Sequence, residues 1–161
     1  HLSVMEWLHA NRSEGCTVST MNGAAGNGHL RVVEWLHANR SEGCSEEAMD
    51  SAARNGYLSV MEWLHANRSE GCTTGESAFL QGSIVEGFSD GAMSCAALKG
   101  HLSVVEWLHA HRSEGTTTDA MDEAASSGDL PLVEWLHTNR TEGCTTQAMD
   151  RAAENGFLSV I

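Results

Sequence analysis

The segment HLRVVEWLHANRSEGC, residues 29–44, recurs with small changes from His1, Tyr57, His101 and Asp129. Three of the four intervals between these starts are 28 residues; the fourth, from 57 to 101, is 44. A unit this short cannot cover its own apolar side chains. Copies in series must therefore cover one another and share one elongated core. The chain divides by its own period into units 1–28, 29–56, 57–100 with sixteen added residues near 73–88, 101–128, 129–156 and a partial unit 157–161, all within one domain. It opens in mid-pattern at His1, without Met, and so reads as a fragment.

Each unit reads as two helices. In SEEAMDSAARNG (45–56), Ser45 is placed to cap the first helix, and Glu46 and Glu47 suit the positive end of its dipole. Met49, Ala52 and Ala53 fall at i, i+3, i+4 and form one apolar stripe, whose small alanines allow a neighbouring helix to come close. Gly56, matched by Gly28, Gly100, Gly128 and Gly156, ends that helix. The second helix, YLSVMEWLHANR (57–68), carries Leu58, Met61 and Leu64 in one row and Val60 and Trp63 in another, a face wide enough to lie between neighbours. The single proline, Pro131, falls in the first turn of this helix, where a missing N–H is harmless. The expected fold is all-α, a solenoid of stacked antiparallel helix pairs joined by short loops. Each tryptophan–leucine face is expected to cover the alanine-rich face of the next layer.

The run Ala52-Ala53-x-x-Gly56-x-Leu58, followed by Val60-Met61-x-x-Leu64, resembles the core of ankyrin repeats, and the resemblance recurs along essentially the whole chain. It departs from that family in length, 28 residues against about 33, and in having EAMDSA (47–52) where the family has T-P-L-H-x-A. The missing residues fall where the family builds a protruding β-hairpin, so short loops without that hairpin are expected at most junctions. The resemblance implies a protein–protein interaction module with no enzymatic activity. A passive spacer or targeting segment of a larger protein is the alternative.

The composition narrows the choice of partner. The formal net charge is −13. A field of that sign repels phosphate backbones and anionic lipid, so neither nucleic acid nor membrane is an expected partner, whereas a basic or dipolar protein is compatible. No apolar run approaches the roughly 18 residues of a membrane span. The odd cysteine count, with Cys16, Cys44, Cys72 and Cys144 at matched repeat positions and Cys95 apart, reads as reduced thiols and an intracellular chain.

One His and one Cys per unit, seven apart, lack the paired spacing of a zinc site, so no metal and no cofactor is expected, nor a small-molecule substrate. Four equal copies also argue for layer building rather than catalysis. Histidines 9, 37, 65, 109 and 137 should form a half-exposed ladder, and the Arg and Glu rows of RSEG should be exposed pairs worth about 0–1 kcal/mol each. The added segment 73–88 has three open readings: a loop folded over its neighbouring layer, a projecting partner surface, or a sequence artefact.

Core positions repeat almost verbatim, while matched first-helix positions differ from unit to unit. Partner recognition through an exposed first-helix and loop face would produce that pattern. The candidate partner-binding residues are Ser51, Arg54, Leu98, Glu123, Ser126, Arg151 and Glu154.

Overall fold

The structure, a computed structural model, describes residues 2–12, 15–68, 91–111 and 118–158; the added segment 73–88 lies outside them. Among these residues the chain forms helices and no strand. In order they are α1 (Leu2–Asn11), α2 (Val18–Gly26), α3 (Leu30–Asn39), α4 (Glu46–Arg54), α5 (Leu58–Asn67), α6 (Ala92–Leu98), α7 (Leu102–His111), α8 (Asp119–Ser127), α9 (Leu130–Asn139) and α10 (Thr146–Glu154). The pairs α2/α3, α4/α5, α6/α7 and α8/α9 are four complete layers. α1 stands as a second helix at one end and α10 as a first helix at the other.

First helices stack on first helices, from α2 through α4, α6 and α8 to α10, and they meet far more extensively than the second helices do. The alanine stripe is the cause. Ala25, Ala52, Ala53, Ala96, Ala97, Ala124 and Ala152 are buried, and their methyl groups let neighbouring backbones approach closely. The second helices close the core from the side with Val33 and Leu36; Val60, Met61 and Leu64; Val104, Val105 and Leu108; and Leu132 and Leu136. The expected pairing of tryptophan on alanine is therefore corrected: alanine faces meet other first helices. Trp35, Trp63, Trp107 and Trp135 are only half-buried at the core's edge, and Trp7 is exposed.

The helix ends follow the sequence closely. After α4, the Gly56 N–H bonds Ala53 O and the Tyr57 N–H bonds Ala52 O, the Schellman arrangement, with Gly56 at φ +77°. The same two bonds recur at Gly28, Gly100, Gly128 and Gly156. Pro131 sits in the first turn of α9, where Asp129 Oδ1 accepts from the Leu132 N–H at 3.1 Å. The links 40–45 and 140–145 carry no strand, as expected of units lacking the hairpin.

Candidate functional site

The first-helix face carries the candidate residues, and the layers sort them by exposure. Arg54 at the end of α4 and Glu154 at the end of α10 are exposed; Leu98 of α6 and Ser126 of α8 hold the same register and are half-buried. These four make one strip across four successive layers. Ser51, Glu123 and Arg151 point into the seams instead. Ser51 is half-buried against Gly26, where an added Cβ would lie 2.9 Å from the serine Cβ. Glu123 is not at an exposed position: its side chain is 8% accessible and pairs with Arg151 Nη1 of the next layer at 2.7 Å, with Arg151 itself 32% accessible. Residues 123 and 151 thus vary as a matched ion pair between layers, and 26 and 51 as a matched pair of small residues.

Matching polar contacts fix α4 on α2 and α10 on α8. Asn22 is buried in α2, accepts the Ser45 N–H at 3.1 Å and donates to Ser45 Oγ at 2.8 Å and Glu47 Oε2 at 2.9 Å. Ser45 has the extended backbone of a helix cap, yet its hydroxyl serves the preceding layer and makes no cap bond of its own. Asp122 repeats the device on Thr145, accepting its N–H at 2.9 Å and its hydroxyl. Asn55 and Asn155 reach back to the carbonyls of Gly26 and Ser126. Sequence reasoning missed this row. Its signal was the polar residue at 22, 50, 94, 122 and 150, next to a methionine on an otherwise apolar face.

The second helices carry a different seam. His9 stands edge-on to Trp35 with ring centroids 5.2 Å apart; His37 meets Trp63 at 5.1 Å, His65 meets Trp107 at 5.2 Å and His109 meets Trp135 at 5.3 Å. Arg40, Arg68 and Arg140 reach back to Nδ1 of His9, His37 and His109 at 3.5, 3.2 and 2.9 Å. Arginine has no acceptor, so Nδ1 accepts and the imidazole proton sits on Nε2. Arg40 also pairs with Glu42, and Arg140 with Glu142. At these two junctions the Arg–Glu pair is thus partly buried where layers meet, not the solvated surface pair expected. The Arg40 hydrogen bond holds the Glu42 carboxyl at about 2, and the same bond raises the Arg40 guanidinium further.

Among the described residues, no three His, Cys, Asp or Glu side chains converge as a metal site, and Cys16, Cys44, Cys95 and Cys144 form no disulfide with one another. A cavity of about 10 Å³ lies between α6, α8 and α9, lined in part by Met93, Met121 and Leu136; it has room for about one water. No described helix is long and apolar enough to cross a membrane. Asn11, Asn39, Asn67 and Asn139, which begin N-x-S/T triplets, each donate to the tryptophan carbonyl four residues earlier at 2.8 Å. A family model described as ankyrin repeats (many copies) matches residues 21–65 and 93–137. No curated protein matches the chain.

Proposed function

The chain belongs to the ankyrin-repeat family, whose members are generally protein–protein interaction modules, and on that premise we propose that it holds a protein partner on the exposed first-helix and loop face of its stack. The observation that carries this is the strip Arg54, Leu98, Ser126 and Glu154. It sets an exposed cation and an exposed anion at its two ends, with the half-buried Leu98 side chain and the half-buried Ser126, whose hydroxyl donates to the Glu123 carbonyl at 2.9 Å, between them, at one register of four successive layers on a scaffold whose core positions barely change. Variation at matched exposed and half-buried sites over a fixed core is what selective recognition requires. Ser51 and Arg151 border the strip. Glu123 contributes through the position of Arg151, which it holds at 2.7 Å. The net charge of −13 favours a basic or dipolar partner surface and speeds its approach.

The test is affinity capture followed by titration, comparing the unmodified chain with an Arg54→Glu/Glu154→Arg double variant. The expected outcome is a Kd at least tenfold weaker, with the thermal denaturation curve unchanged because both side chains are exposed. Equal binding by the two proteins removes the strip from the contact surface.

A further inference from the structure

We propose that the inter-helix turns of three successive layers form a docking edge for a short, extended, acidic segment of the protein partner. The inference rests on the partner reading above and names the chemistry of the part that meets Arg54.

Its basis is where the chain keeps its free cations. Arg40, Arg140 and Arg151 pair with Glu42, Glu142 and Glu123; Arg68 reaches His37, and Arg12 has an interaction of its own. The other described arginines and the lysine, Arg31, Arg54 and Lys99, are exposed, and their side chains hold no hydrogen bond or ion pair among the described residues. Each lies within three residues of a positive-φ glycine that ends a first helix: Arg31 after Gly28, Arg54 before Gly56 and Lys99 before Gly100. They therefore share one edge of the stack, one in each of the layers α2/α3, α4/α5 and α6/α7. The residues that build this edge, 26–31, 54–59 and 98–103, include no Asp or Glu, in a chain of net charge −13.

Rings floor the same edge. An added Cβ would lie 2.6 Å from the Tyr57 ring at Gly28 and 2.7 Å from the His101 ring at Gly56. Each ring is thus held against the turn of the layer before it, and Tyr57 remains 37% accessible. The next layer reverses the sign. Asp129 lies over Gly100, and Glu154 follows one layer later. The cationic stretch is bounded there, so it suits a segment with few charges rather than a long polyanion.

Layer spacing sets the form of that segment. Neighbouring helices pack about 8–10 Å apart. A polyproline II segment has about three residues per turn and rises about 3.1 Å per residue, so side chains at i, i+3 and i+6 share a face at intervals of about 9 Å. Acidic residues at that spacing meet one layer each, while the residues between them rest on the Tyr57 and His101 rings, as extended segments do on aromatic grooves. A nucleic-acid strand carries a charge at every phosphate and meets the acidic remainder of the molecule, which repels it.

The probe is a labelled, proline-rich peptide with Glu at every third position, followed by fluorescence anisotropy at low salt. It is compared with the same peptide carrying Lys for Glu and with single-stranded oligothymidine of equal length. The Glu peptide should bind at least tenfold more tightly than the Lys peptide, and added salt should weaken it. Arg54→Glu and Lys99→Glu should each weaken it at least fivefold. Arg12→Glu, the same charge change at an exposed site off this edge, should alter it less than twofold. Circular dichroism checks that each variant keeps its helix content. A Glu peptide that fails to bind, or binds no better than the Lys peptide, overturns the inference. So does an equal loss from Arg12→Glu, which would mark a response to net charge, and so does oligothymidine bound as tightly as the Glu peptide. A captured partner weakened by the Arg54→Glu/Glu154→Arg variant but not by Lys99→Glu leaves the partner reading standing and removes this one.

Discussion

Helices α1 and α5 are the same ten residues, LSVMEWLHAN, and they have opposite fates. In α5, Val60, Met61 and Leu64 are sealed from solvent; in α1, no residue is. The amphipathic pattern is identical, so it states which face can be buried and leaves open whether it will be. α5 has α4 beside it and helices from both neighbouring layers against it. α1 has a neighbour on one side only, through Met5 at the core's edge and His9 against Trp35. A helix of about ten residues is marginal in water by itself, so its stability comes from whatever it is packed against. The comparison shows where the stability of a repeat protein resides: in the seams rather than in the units.

The sharpest way to break the comparison is to cut the same side chain in both helices. Leu64→Ala removes a buried leucine and should cost about 2–5 kcal/mol, whereas Leu8→Ala in the identical sequence should stay within about 0.5 kcal/mol. Urea denaturation followed by helix content measures both; equal losses would mean that α1 is as well covered as α5. A smaller contrast separates the two kinds of variable first-helix residue. Glu123→Lys strands Arg151 beside a like charge in a seam and should cost about 1–3 kcal/mol, while Arg54→Glu, on the open strip, should cost no more than about 0.5 kcal/mol. Matching melting temperatures for these two variants would return Glu123 to the solvent-facing set.

The smallest effect is a pH dependence at the joint of Arg40 and Glu42. The folded value of Glu42, about 2, lies below its usual 4.5, so the carboxylate's stabilisation is complete above about pH 4.5 and disappears as pH falls towards 2. Glu42→Gln should therefore melt slightly lower than the unmodified chain at pH 6, with the gap closing by pH 2. A gap that persists at pH 2 would assign the difference to packing rather than charge.

These contrasts also show what could be read from the letters alone. The helix pairs, the glycine stops, the place of Pro131 and the alanine stripe were all legible, because each is a local rule acting within one unit. The identity of each face's partner was not. Trp63 fits an apolar row on a helical wheel, yet its ring lies beside His37 of the preceding layer at the rim of the core. Glu123 looks like a freely varying surface residue until Arg151, a whole period later, is seen opposite it. Relations that cross a seam have no local signature. They become visible in sequence only when matched positions are compared in pairs, as with Gly26 and Ser51. Of the seven candidate residues, Arg54 and Glu154 are exposed, while Glu123, read as exposed, is buried in the seam against Arg151.

The imidazole-to-indole spacing across the long interval has a consequence for engineering. His65 and Trp107 meet at 5.2 Å, as closely as the rings at the regular junctions, although sixteen extra letters intervene in the chain. Alignment between these two layers is thus dictated by the packed helices, and the number of residues that separate them in sequence can change without losing the imidazole-to-indole registry.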